Sequence, residues 1–224
     1  MQNSAPITLE QILHDHEINT YIQAGNSVLG AIGFTEHGFA HAKRSSDYAA
    51  AILRQLGYGE RTCELAAIAG YMHDIGNTVN RVDHAQSGAL MAFSILSRLG
   101  MSAEETAQIV TAIGHHDENT AAAVSPIASA LILSDKSDVR RTRVRNKNTV
   151  SNDIHDRVNY AVEEAVLQVQ TEEKTITLQI TIDTAICPVM EYFEIFLSRM
   201  VLCRKAAACL DLTFELVING TRLL

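Results

Sequence analysis

The stretch Leu65–Asn77, LAAIAGYMHDIGN, constrains this chain more than any other. No charge occurs from Leu65 to Met72, which suits a helix buried on every side. His73 and Asp74 then stand side by side, and Gly76 reads as the stop of that helix. An imidazole and a carboxylate at the sunken end of an apolar helix are costly to bury uncompensated. Two compensations are open: a hydrogen bond between the pair, or a cation bound by both, which the negative end of the helix dipole also favours.

Other segments bring similar groups to similar places. In residues 34–57 the stripe His41, Tyr48, Ile52 and Leu56 has helical spacing, with His37 one turn before His41. NTVNRVD reads as a polar loop, and a helix from about Asp83 carries His84, Gly88, Met91, Ile95 and Leu99 on one face. Gly100 stops it, and Ser102 with Glu105 forms a capping box for the next helix. There the stripe Ile109, Ile113 and His116 ends in histidine; His115 lies about 100° around the axis, so spacing favours His116. After the Ser125–Pro126 start signal, Ala128, Leu131, Asp135 and Asp138 share a face. His14 and His16 sit among Asp15 and Glu17 and read as a solvated face.

The ends of the apolar stripes thus collect His41, His73, Asp74, His84, His116 and Asp135. Four imidazoles and two carboxylates suit iron, manganese or zinc, whereas magnesium prefers more oxygen. Six groups exceed the needs of one tetrahedral zinc, so two ions bridged by Asp74 fit the set.

Residues 136–147, KSDVRRTRVRNK, hold Lys136, Arg140, Arg141, Arg143, Arg145 and Lys147 in a chain of net charge −8. That tract is either a solvated helix end or a rim that binds phosphate. The acidic balance argues against long nucleic acid and membrane surfaces, but not against a small anion in a local pocket. With 47% apolar residues and no Trp, the core must be mostly Ala, Leu, Ile and Val. Cys63, Cys187, Cys203 and Cys209 show no metal-ribbon spacing and read as buried thiols of a reducing compartment. The start of the chain lacks the basic and apolar regions of a signal peptide, and no run approaches a membrane span, so a cytoplasmic location is expected.

The pattern changes near residue 150, which divides the chain into a helical part, 1–150, and an α+β part, 151–224. In the second, Ser151–Glu164 reads as a helix, AVLQVQ and TITLQITID as strands, the segment after Pro188 as a long apolar helix, and TFELVIN as a last strand before the Asn219–Gly220 turn. It shows no candidate catalytic cluster. Its apolar helix is expected to pack on the helical core or to join a second copy in a homodimer.

The ordered set EHGFAH, HDIG, DHAQSGA, AIGHH and LSDKSD resembles the H…HD…H…H…D pattern of the HD-domain metal-dependent phosphohydrolases over about residues 30–145. The context of His84 and His116 is most similar to the binuclear subgroups, among them symmetrical diadenosine tetraphosphate hydrolases and HD-GYP cyclic-dinucleotide phosphodiesterases. Two features depart from them: Asn77 stands where many binuclear members have lysine, and the GYP signature is absent. The resemblance implies a mainly α HD-domain helical bundle with a small C-terminal α+β appendage, and metal at the six matched residues.

It further implies a divalent transition metal, one or two ions, with iron or manganese favoured and zinc, nickel, cobalt or magnesium permitted. Metal-bound hydroxide would attack phosphorus in a nucleotide or another small phosphate ester or anhydride. Lys136, Arg81 or the arginines at 140–145 would neutralise the phosphate, and His37 or His115 would protonate the leaving oxygen. The alternatives are an HD-like diiron oxygenase and a regulatory module that binds a phosphorylated ligand without chemistry.

Overall fold

A computed structural model describes residues 6–224. The first five residues, on which the reading of the chain's start partly falls, lie outside the described residues. The order is α1 (Leu9–His14), α2 (His16–Ala31), α3 (Phe39–Gln55), α4 (Glu60–Met72), a 3-10 turn (Ile75–Thr78), α5 (His84–Leu99), α6 (Ala103–Gly114), α7 (Pro126–Lys136), α8 (Ile154–Ala161), β1 (Val162–Gln170), β2 (Thr175–Ile182), α9 (Val189–Cys209), β3 (Thr213–Ile218) and β4 (Thr221–Arg222). The chain is therefore a helical bundle followed by a small α+β appendage. No helix among the described residues is long and apolar enough to cross a membrane.

The uncharged run does become the central helix: every residue from Leu65 to Met72 in α4 is buried. Helices α3, α6 and α7 pack around it. The α3–α4 approach is close enough to require glycine, because a Cβ on Gly70 would lie 2.8 Å from backbone atoms of Ser45 and Ser46. This crossing fixes His41 on α3 relative to His73 at the end of α4.

Gly76 is not the helix stop that its position suggested. Helix α4 ends at Met72 with His73 as its C-cap, and Gly76 lies inside the 3-10 turn. What demands glycine there is α5: a Cβ would fall 2.0 Å from the His84 carbonyl oxygen and 2.4 Å from the Gly88 nitrogen. The Ser102 hydroxyl accepts from the Glu105 N–H, and Ser125 with Pro126 at the first helical position opens α7.

After residue 150 the helix is shorter than its sequence pattern implies. It stops at Ala161, and Val162 is already extended and paired with Ile182. β-Branched side chains and cross-strand pairing outweigh the helical option for VEE at this boundary. The sheet order is β1-β2-β3-β4, with β1–β2 and β3–β4 antiparallel and β2–β3 parallel. Helix α9 makes the crossover between β2 and β3. Its buried face, with Tyr192, Phe196, Met200, Cys203 and Ala207, covers the bundle through α7. Three cysteines are buried, but Cys209, at the last turn of α9, is exposed.

Candidate metal centre

Five separate elements deliver one cluster. The end of α4 presents His73 and Asp74, α3 presents His41, α5 begins with His84, His116 follows α6, and Asp135 lies in the last turn of α7. His41, His73, His84 and His116 are all nearly sealed from solvent. Each ring is anchored through Nδ1. That atom lies 2.8 Å from the Gly70 carbonyl for His73, 3.0 Å from the Arg81 carbonyl for His84 and 2.6 Å from the Ile113 carbonyl for His116. For His41 the partner is the Asp138 carboxylate, at 2.7 Å. Carbonyl and carboxylate oxygens only accept, so in each ring Nδ1 carries the proton and a neutral ring has an unprotonated Nε2; that of His84 also lies 3.3 Å from Arg81 Nη1.

Those Nε2 atoms face each other in two pairs, His41–His73 and His84–His116, each at 3.2 Å. Two lone pairs at that distance repel unless a cation or a proton lies between them. Asp74 stands between the pairs. Its Oδ2 is 3.6 and 3.3 Å from His41 and His73, and its Oδ1 is 3.5 and 4.0 Å from His84 and His116. Asp135 Oδ1 closes the first pair, 3.3 Å from His41 and 3.7 Å from His73. Asp74 Oδ2 is buried and accepts no hydrogen bond. Three overlapping sets, His41–His73–Asp74, His73–His116–Asp135 and Asp74–His84–His116, bring one ligand atom per residue within 4.8 Å of each other. Bare imidazole nitrogens beside an orphaned carboxylate oxygen fit a divalent transition metal.

The electrostatics agree. Burial opposes charge on His73, but the carboxylates of Asp74 and Asp135 outweigh it and raise its pKa to about 10. Burial also disfavours the Asp74 carboxylate, yet His73 holds it well below its usual range; Lys136 does the same for Asp135. Burial pushes His84 and His116 down, leaving them neutral at pH 7. The centre therefore favours positive charge, carried as a proton on His73 until a metal replaces it, and keeps the His84 and His116 rings unprotonated.

The other expected residues are placed unequally. Arg81 and His37 line both the small space at the cluster and the large cavity beside it. His37 lies before α3 rather than on it, with Nδ1 2.8 Å from the Thr35 carbonyl and its ring 5.4 Å from that of His41. Burial and Arg143 hold its pKa well below the ordinary value, so it is a neutral acceptor at pH 7 and not the poised proton donor an unperturbed value would make it. His115 lines neither space. Lys136 reaches the cluster, but its ammonium lies 2.8 Å from Asp135 and 2.6 Å from Glu118.

Most of the basic tract is engaged with the protein itself, and of its arginines Arg143 lines both the inner space and the cavity. Arg140 and Arg143 pair with Asp138, Arg143 also donates to the carbonyls of Glu36 and Asp138, and Arg145 donates to carbonyls of Asn26 and Phe34. Arg141 lies over Tyr160. These cations tie the segment after α7 to the bundle. Conversely, the appendage does reach the site: Arg199 of α9 lines the inner space and binds Glu118 through Nε at 2.9 Å. Nothing in the helix pattern of α9 marked Arg199, because the carboxylate it meets is far away in sequence.

A family model described as "HD domain" matches residues 38–170. An uncharacterized protein of Methanocaldococcus jannaschii is 23% identical over 167 residues, which cover 65% of this chain and 64% of the relative. The chain thus spans just under two thirds of that relative's length.

Proposed function

The chain belongs to the HD-domain family, whose members include metal-dependent hydrolases, and from that premise we propose that it is a metal-dependent phosphohydrolase of a small, nucleotide-like phosphate ester or anhydride. The observation that carries the reading is the arrangement of four Nδ1-anchored imidazoles around Asp74, whose Oδ2 lacks any partner. His41, His73, Asp74, His84, His116 and Asp135 would hold the metal. The division of the imidazoles into pairs on either oxygen of Asp74 supports two ions sharing that carboxylate. Imidazole nitrogens suit iron and the two carboxylates suit manganese, so the mixed donor set favours one of these.

A bound divalent metal supplies an acidified water and a positive charge for phosphoryl oxygens. The chain's own residues do the rest. Arg81 and Arg199 line the inner space and offer guanidinium donors to the phosphate. Lys136 holds Asp135 in place and adds charge behind it. His37, neutral and with Nδ1 occupied, offers Nε2 at the junction as the atom that takes a proton during attack. Asn77, where related sequences have lysine, donates to Asp74 Oδ1 at 2.8 Å and so orients the shared carboxylate.

The test is metal analysis of the purified protein, followed by assay of the metal-loaded form on nucleotides and simple phosphate esters. Bound transition metal with hydrolysis, both lost in His73→Ala, is the expected result. Metal-loaded protein that hydrolyses no member of the panel, or full hydrolysis by His73→Ala, overturns the reading.

A further inference from the structure

Beside the cluster lies a cavity of about 660 Å³. It joins the inner space through His37, Arg81, Arg143 and Arg199, which line both. Its volume matches a small-molecule site of nucleoside size and is far too small for a polymer. The bundle does not make it alone: Asp153 and Asn159 come from the start and body of α8, and Phe196 and Arg199 from α9.

Charge is distributed unevenly along this cavity. Cations are gathered at the junction. Arg81 has no carboxylate partner among the described residues, and Arg199 has only Glu118, which it shares with Lys136. Four carboxylates line the larger chamber and not the inner space: Glu118, paired with Lys136 and Arg199, and Asp83, Asp117 and Asp153. Among the described residues none of the last three forms an ion pair with lysine or arginine; Asp153 Oδ1 caps α8 by accepting from the His155 and Asp156 N–H groups and lies 3.7 Å from the His155 ring, and Asp117 Oδ2 accepts from Asn119. Two aromatic faces flank the chamber, each already under a guanidinium: Phe34 with Arg81 at 5.5 Å and Phe196 with Arg199 at 4.5 Å. A ligand spanning both parts therefore meets guanidinium groups at the junction and carboxylates in the larger chamber.

We infer that the site selects substrates with a single phosphoryl group attached to an uncharged or cationic polar head, and rejects those whose head carries further negative charge. This rests on the phosphohydrolase reading for the placement of the phosphoryl group. A second phosphate or a carboxylate on the head would lie among Asp83, Asp117 and Asp153 and be repelled. An amine or hydroxyl there would donate to the same carboxylates.

The experiment compares aminoethyl phosphate with phosphoglycolate, and AMP with ATP, on the metal-loaded full-length protein. Binding is measured by calorimetry and kcat/KM by phosphate release. The expected result is tighter binding and higher kcat/KM for aminoethyl phosphate and AMP, by about tenfold or more. Asp153→Asn, which keeps a residue able to cap α8, should shrink the aminoethyl phosphate to phosphoglycolate ratio by about fivefold. Equal or reversed preference, or a ratio unmoved by Asp153→Asn, overturns the inference even if hydrolysis is robust. The expected binding order without hydrolysis supports the selectivity and sinks the phosphohydrolase reading instead. Absence of binding by all four compounds overturns the selectivity as well.

Discussion

Asp138 and His41 form a buried carboxylate–imidazole pair, Oδ2 to Nδ1 at 2.7 Å, with both side chains wholly inaccessible. The same carboxylate is met by Arg44 at 3.2 Å, Arg140 at 2.8 Å and Arg143 at 3.6 Å. Burial works against its charge, and Arg143 with His41 more than restores it, holding the carboxyl far below its usual range. Asp138 therefore orients the ring that faces the metal cluster and balances three guanidinium groups. Asp138→Asn keeps the shape and removes the charge. The expected loss is about 3–5 kcal/mol of stability, typical for one partner removed from a buried pair. Metal affinity should fall about 10–100-fold, as for other groups that orient a ligand. Urea unfolding and metal titration read the two effects; a variant unchanged in both would remove Asp138 from the account.

The candidate ligands were legible in the sequence for a physical reason. A polar group at either end of an apolar stripe is anomalous wherever it occurs: His41 and His84 open one, and His73, His116 and Asp135 close one. Their supporting shell was not legible. Lys136 was visible as a candidate, but its link through Glu118, in the segment between α6 and α7, to Arg199 of α9 is made by tertiary packing that sequence distance hides. His37 was placed on a shared helical face by its spacing from His41, but α3 starts at Phe39, and the two rings meet across the helix entrance. The start of β1 was hidden in a stretch whose acidic residues suit a helix, and only pairing with β2 decided it.

Gly76 tests a different constraint. Its position after α4 imitates a C-cap, yet the demand comes from the backbone of α5. Neither the His84 carbonyl nor the Gly88 nitrogen can move without moving the helix that begins with His84. Gly76→Ala should cost about 1–3 kcal/mol or more and displace His84 from the cluster. Gly59→Ala is the control, since a Cβ there meets nothing within 4 Å. That change at the α4 N-cap should cost no more than about 1 kcal/mol. Equal urea midpoints for the two variants would contradict the close-approach argument.

Acid should weaken one clamp in a predictable direction. Arg61 grips Glu105 through two contacts of 2.7 and 2.6 Å, and also holds Glu64 at 2.6 Å and the Ile7 carbonyl at 2.9 Å. The hydrogen bond from Arg61 depresses the Glu105 pKa. A depressed carboxyl stabilises the fold above its unfolded pKa, about 4.3, and that stability is lost as pH falls through the folded value. Glu105→Gln should therefore be less stable than the parent at pH 7, by about 0.5–1 kcal/mol. Below about pH 4 the gap should narrow. Urea midpoints at pH 7 and pH 3.5 provide the comparison, and a gap that stays constant would mean the carboxylate's charge contributes nothing.

Metal should stabilise the protein through the cluster itself, independently of any turnover. A ligand that binds only the folded chain adds about 2.7 kcal/mol at a hundred times its Kd, which for a chain of this length is a rise of about 5–10 °C in Tm. Manganese, ferrous iron and zinc, titrated separately into chelator-treated protein, should each produce a saturable rise, and the chelator should reverse it. His73→Ala removes a nitrogen common to two of the three overlapping ligand sets and should abolish most of the shift. The variant leaves Asp74 without its strongest neighbouring positive charge, so its metal-free form should itself be less stable. Arg54→Ala, on an exposed ion pair with Glu60, is the surface comparison and should retain the full metal response. If His73→Ala and Arg54→Ala respond to metal alike, the ions are binding elsewhere and the six convergent side chains are a structural core of buried polar groups.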